Sequence, residues 1–231
     1  MKVVVLQSNY LPWKGYFLLA HLADVFVFYD EVQYTKNDWR NRNIICGKNG
    51  LQWLSIPVEK QFVHAKISEV KIGNDWQGKH FKSLYLTYKS APCFYQLEEL
   101  MIEFLVDIKW EYLSTLNQFL ITRIAHLIGT KTQFVNSAQY DLAGDKVEKL
   151  LGLIEQLGAS DYISGPAGMN YLSGSETLFD QRKVKLSYCT YPDFKKYPQL
   201  IQPFQNNVSI VDLIAHVPYS EIKNYIWEGN T

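Results

Sequence analysis

The chain opens on a short β-branched run, residues 2–7 (KVVVLQ), that reads as a buried strand. Polar residues and Pro12 break the pattern over 8–14. Residues 15–23 (GYFLLAHLA) then carry apolar positions at helical spacing. A second continuous apolar run, 25–29, ends at Asp30. Strand, short helix and strand predict a βαβ unit with a parallel pair. Residues 44–58 have the form of a hairpin turning at Gly47-Lys48-Asn49-Gly50, because Asn-Gly takes the left-handed backbone that tight hairpins need. Residues 67–72 alternate weakly and are expected as a strand. Helices are predicted over 76–88, 97–110, 112–128 (closed by Gly129) and 145–157 (closed by Gly158). Short strands are expected at 134–135, 159–165 and 184–188. A loop with three prolines follows over 191–203, then a short helix from Ser209, whose hydroxyl suits an N-cap, with Asp212 at its third position. The expectation is an α/β fold: an open, mostly parallel sheet flanked by helices, with an added hairpin and an α-helical C-terminal half, in a single domain over 1–231.

This topology has a consequence for chemistry. Open parallel sheets bind ligands outside the carboxyl ends of their strands. Gln7 and Asn9 follow the first strand, and Asp30 and Gln33 follow the second, so two polar clusters distant in sequence are expected at one edge. Around the first lie Tyr10, Trp13, Gly15 and Tyr16. Amide side chains read the neutral polar edges of a ligand, and Trp13 with Tyr16 could form a stacking wall. The competing reading is a loop whose polar side chains satisfy its own backbone. The second cluster runs through Tyr34, Lys36, Arg40, Asn41, Arg42 and Asn43. Its three cations suit a phosphate or carboxylate clamp, against the plainer reading of a solvated charged loop. Asp30, a carboxylate at a strand end among aromatics, is the candidate general base, with Lys36 beside it as charge neutraliser. A third set, Ser164, Gly165 and Tyr171, follows a later strand. Its small residues would let backbone approach an anion, although the spacing is neither a P-loop nor the dinucleotide fingerprint, and an ordinary turn is the preferred reading.

Composition narrows the classes. Lys plus Arg and Asp plus Glu are each 23, for a net charge of zero. Without a basic excess or stripe, nucleic acid is not an expected partner, and a neutral surface favours a homo-oligomer. Cys46, Cys93 and Cys189 are isolated, and the five histidines lack ligand spacing, so neither a metal nor a disulfide framework is expected. The opening residues turn polar too soon for a signal peptide and no run is long enough to span a membrane, so a cytoplasmic location is expected.

Several of these segments resemble the WbqC-like family of bacterial proteins. They are Gln7-Ser-Asn-Tyr-Leu-Pro-Trp-Lys-Gly-Tyr-Phe17, Asp30-Glu-Val-Gln-Tyr34, Asn41-Arg-Asn43, Trp53-Leu-Ser-Ile-Pro-Val58, Tyr162-Ile-Ser-Gly165, Tyr171-Leu172 and Ser209-Ile-Val-Asp-Leu213. Two departures stand out: the family usually has Gln-Pro where this chain has Gln7-Ser8, and it ends the last motif with Asn where this chain has Ala215-His216. The resemblance implies site candidates at Gln7, Asn9, Tyr10, Trp13, Gly15, Tyr16, Asp30, Gln33, Tyr34, Lys36, Asn41, Arg42 and Asn43. It implies a setting in O-antigen or other surface-polysaccharide synthesis, with transfer of an amino-acid or acyl group to a sugar. A looser similarity to pantothenate synthetases and related nucleotidyltransferases, at Trp13-Lys14-Gly15-Tyr16 and at 164–172, implies a nucleotidyltransferase-like (HUP-like) sheet. The two histidines of that family's motif are absent here, which counts against ATP as cofactor. A nucleotide-sugar is the expected small polar ligand. Three readings stay open: acyl or aminoacyl transferase, adenylate-forming ligase or nucleotidyltransferase, and non-catalytic binding protein.

Overall fold

A computed structural model describes residues 1–62 and 64–228. Five strands form one parallel sheet in the order β5-β2-β1-β6-β7, namely β1 (Lys2–Leu6), β2 (Val25–Phe28), β5 (Gln133–Asn136), β6 (Asp161–Ser164) and β7 (Lys185–Tyr188). The β1 and β2 runs are buried on both faces, which is why they read as continuous apolar segments rather than alternating ones. Helix α1 (Lys14–Leu22) connects them. Strands β3 (Arg42–Gly47) and β4 (Gly50–Ser55) pair antiparallel as the separate hairpin, with Gly50 at φ 97°.

The sheet divides two apolar cores. One packs α1, α2 (Gln77–Tyr88), α3 (Phe94–Ile102), α4 (Leu113–Leu127) and α8 (Ile210–His216) together. The other sets α5 (Lys146–Gln156) and α7 (Glu176–Gln181) against the opposite face. Short α6 (Met169–Leu172) and α9 (Tyr219–Ile222) complete the helices named here. The expected α/β architecture is therefore present, and β5, β6 and β7 come from the helix-rich C-terminal half.

Two expectations change. Residues 67–72 are not a strand: Ile67–Glu69 is a turn of 3₁₀ helix, and only isolated bridges follow, at Lys71 and Ile72. The buried positions Ile67 and Val70 are three apart, which suits a helical turn. The helix expected over 97–110 starts at Phe94 and passes into a π-helical turn over Glu103–Asp107. There the Gln77 amide donates to the carbonyls of Leu105 and Ile108, and the Trp110 indole donates to that of Phe104. Side chains thus take over where the regular ladder stops.

The strand order reverses beside β1. The chain moves outward from β1 through β2 to β5, then returns to β1's other side for β6 and β7. That switch point lies between β1 and β6, and the carboxyl ends of such neighbouring strands are where open parallel sheets place the crevice that takes a ligand.

Candidate functional site

The turn after β1 is built by its own side chains. Leu11 sits at φ 42°, a left-handed conformation that costs a non-glycine residue on the order of 1 kcal/mol. Asn43 on β3 holds it there, donating to the carbonyls of Tyr10 (3.0 Å) and Leu11 (2.9 Å). Replacing Asn43 by Ala leaves the buried Tyr10 carbonyl without a donor and the Leu11 carbonyl with only the Ser209 hydroxyl, so a loss of about 2 kcal/mol is expected in a urea melt. Tyr10 is buried, with its hydroxyl 2.9 Å from His80 Nδ1, and the Tyr16 hydroxyl donates to the Gln7 carbonyl at 3.0 Å. Tyr16 is likewise buried, so of the expected stacking wall only half-buried Trp13 faces outward. Trp13 packs edge-on against Tyr191 (4.8 Å) and Phe194 (5.7 Å). Gly15 is required by that indole: a Cβ at this position would overlap the Trp13 ring.

Asp30 closes the second strand and reaches back to the first. It is fully buried. Its Oδ1 accepts from the Ser8 amide (2.8 Å) and its Oδ2 from the Gln118 amide (2.8 Å), while Gln118 in turn accepts from Asn136 at the end of β5. Burial raises its pKa, against the bonds from Ser8 and Gln118 and the nearby Arg40 cation. The ends of β1, β2 and β5 are thereby laced together, and a groove of about 680 Å³ opens past Gln118 and Asn136. A larger one, about 760 Å³, lies by Asp24 and Thr132, which precede their strands, and none of the nominated residues lines either groove.

The Asp30–Asn43 stretch does meet the Asn9 turn, as the Ser8–Asp30 and Asn43–Tyr10 bonds record, but its residues are committed unequally. Asn41 donates to the Ile56 carbonyl, Tyr34 is buried with its phenol pushed up to about 12 by burial, and Arg42 lies 4.3 Å over the Trp53 ring. Gln33 and Lys36 are exposed. Arg40 pairs with Asp38 at 2.9 Å, yet its buried Nε has no hydrogen-bond partner, as is also true of Asn9 Oδ1 and Asn117 Oδ1. The Asn117 amide bonds the Arg40 carbonyl, and the Tyr10 amide beside Asn9 bonds the Trp39 carbonyl beside Arg40, so these stretches adjoin.

Across the crevice, Ser164 is buried at the end of β6. Gly165 faces Leu19 and the Tyr191 hydroxyl, and a Cβ on Gly168 would strike the Ser164 hydroxyl. Tyr171 is 41% exposed and carries Lys146 over its ring at 3.7 Å. It lies close enough to Tyr29 and Tyr188 to add to their raised pKa values, which burial sets first. Tyrosines from the ends of β2 and β7 and from α6 thus gather on one face of the edge.

A further cluster joins the first motif to the last. Ser209 Oγ donates to the Leu11 carbonyl (2.7 Å), and the Ile210 amide to that of Pro12 (3.0 Å). These bonds set Asp212 of α8 near Lys14 of α1. Asp212 is fully buried, and its Oδ2 accepts from the Tyr197 hydroxyl (2.6 Å) and the Gln199 amide (2.7 Å). Burial raises its pKa, opposed by those bonds, by His216 and by Tyr88. Lys14 is only 3% exposed, and its Nζ lies over the rings of Phe194, Phe204 and Tyr197 at 4.8, 5.3 and 5.7 Å. Neither Lys14, Asp212, Gln118 nor Asn117 is singled out as a site residue by pattern reading. The available signal was a charge inside an apolar run: Lys14 ahead of GYFLLA, and Asp212 within SIVDLIA. Among the described residues no group of three or more His, Cys, Asp or Glu is arranged to hold a metal, and no helix is long and apolar enough to cross a membrane.

The family model described as WbqC-like protein family matches residues 7–224. A Mycobacterium tuberculosis protein named "Uncharacterized protein Rv1507c" is 39% identical over 218 residues, covering 94% of each chain. No solved structure matches.

Proposed function

The chain belongs to the WbqC-like protein family, and on that footing we propose an enzyme of bacterial surface-polysaccharide or nucleotide-sugar biosynthesis that transfers an amino-acid or acyl group to a sugar. The observation that carries the reading is the gathering of Asn9 Oδ1, Arg40 Nε and Asn117 Oδ1, buried and uncommitted, around the carboxyl edge of the sheet. Buried polar atoms without partners at a strand-end crevice are the groups a polar ligand satisfies. In this reading Gln7 and Asn9 read the neutral edge of the sugar. Lys36, Arg40 and Arg42 neutralise phosphate or carboxylate, and Gly165 and Tyr171 form the far wall. Asp30 is the base once Gln118 swings off its Oδ2, and otherwise holds Ser8 in place. The whole operates as one WbqC-like domain, proposed to be cytoplasmic and self-associating.

The test is incubation with an amino-sugar nucleotide, glycine or another amino acid, and ATP, followed by mass spectrometry. A sugar product carrying the added acyl group is expected, and neither turnover nor saturable binding of any of these would remove the reading. Asp30→Asn is expected to lower turnover by about 10²-fold with the binding constant little changed.

A non-catalytic binding protein is the second reading. Its support is that much of the edge is occupied internally: Asp30 by Ser8 and Gln118, Asn43 by two carbonyls. It requires Asp30→Asn to leave every measurable property of the bound ligand unchanged. Calorimetric titration with ATP tests the third, an ATP-dependent nucleotidyltransferase or ligase, for which saturable heat is required.

A further inference from the structure

We propose that Lys14 is the amine nucleophile of a second site, beneath the segment between β7 and α8, which takes a small carbonyl compound as an imine. The proposal does not rest on the sugar-transfer reading. Lys14 opens α1, the helix that leaves the switch-point edge, and its Nζ is buried with no hydrogen-bond partner. A buried ammonium is normally paired and fully hydrogen-bonded. Here Phe194, Tyr197 and Phe204 surround it with ring faces, and the charged groups within reach are Asp212 and Asp193. One turn beyond Asp212, His216 Nε2 is also buried without a hydrogen-bond partner. Two uncommitted nitrogens beside a buried carboxylate exceed what a structural ion pair requires.

The cover has the form of a gate. Residues 189–208 carry no helix or strand, a stretch longer than compact domains usually leave irregular. They supply all three rings as well as Gln199. Half-buried Trp13 and Tyr191 stand where this segment meets the crevice.

Desolvation in an aromatic pocket is a recognised way to activate a lysine for imine formation. Burial lowers the Lys14 pKa to about 8, with Asp212 and Asp193 opposing, so much of the amine is neutral in mildly alkaline buffer. The neutral amine adds to the carbonyl carbon, and its proton passes to the oxygen to give a carbinolamine. The hydroxyl then leaves as water while the C=N bond forms. One amine and one carbonyl give one imine and one water, with no change of oxidation state. Asp212, whose buried carboxyl holds a proton more tightly than an ordinary aspartate, is the group placed to shuttle it.

The probe is 2,4-pentanedione at one equivalent with the full chain. It converts an activated lysine into a near-ultraviolet-absorbing enaminone with loss of one water. Expected are one adduct per chain, mapped to the peptide bearing Lys14, and no such adduct in Lys14→Arg. Peptide mapping of the unmodified sequence decides the matter even if the variant fails to fold. Label spread over surface lysines with Lys14 untouched, or no label at all, makes Lys14 a structural cation and overturns the proposal.

Discussion

Asp212→Ala loses about 3 kcal/mol of folding stability, the cost of taking a charged acceptor away from buried donors. Three groups are left behind. The Tyr197 hydroxyl, at 2.6 Å from Oδ2, loses its acceptor, the Gln199 amide, at 2.7 Å, keeps only the Gln205 carbonyl and the Tyr197 oxygen, and the Lys14 cation loses the attraction of Asp212. Asp212→Asn is milder, because an amide oxygen still accepts from both. Tyr197 and Gln199 lie in the irregular 189–208 segment, so the variant also frees that segment. Limited trypsin digestion should cut after exposed Lys196 in Asp212→Ala well before it does in the parent. An unfolding free energy within about 1 kcal/mol of the parent in urea, with the segment still protected, would show that the network does not depend on the carboxylate.

His80 produces the second large effect, and its sign is fixed by its bonding. Nδ1 faces the Tyr10 hydroxyl at 2.9 Å and Nε2 faces the Ser55 carbonyl at 3.2 Å. A neutral ring satisfies both, accepting at Nδ1 and donating at Nε2, whereas an imidazolium has no acceptor left for the phenol. Burial lowers the pKa to about 4 from the ordinary 6.5, against the Ser55 bond. The unfolded chain therefore takes up the proton first as pH falls. Stability is fully present above about 6.5 and drains away down to about 4, by about 3 kcal/mol at 1.36 kcal/mol per unit. Asp30 and Asp212, whose folded pKa values are raised, act in the opposite sense, gaining stability as pH falls toward the ordinary carboxylate value. The His80 contribution is isolated by subtraction. The stability advantage of the parent over His80→Gln shrinks by about 3 kcal/mol between pH 7 and pH 4, and a constant difference would contradict the assignment.

The sheet and its order of elements were legible because its central strands are buried on both faces. Val3 to Val5 and Val25 to Phe28 announce themselves as apolar runs, and Gly50, Gly129 and Gly158 mark ends where φ is positive. Residues 67–72 misled because their weak alternation overlaps a three-residue spacing, and at that length tertiary contacts decide. Short α6 and α7 carry too few apolar positions to show a period. At the edge, the sequence identified which residue types gather but not which are occupied. Asn43 and Tyr16 have the chemistry of ligand-reading groups, yet in the folded chain they hold backbone carbonyls. Asp212 was legible as a helix-favouring acid in a first turn. Its neighbour Lys14 is 198 residues away, a separation that local patterns do not bridge.

Titration of the ¹⁵N-labelled protein with an amino-sugar nucleotide, followed by amide chemical shifts, tests the edge most directly. Saturable shifts at Gln7, Ser8 and Asn9 and at Gly165 and Gly168, on both sides of the β1–β6 crevice, are the result expected. Shifts confined to the groove at Asp24 and Thr132, or no saturable shift anywhere, would contradict a ligand at the carboxyl ends of these strands.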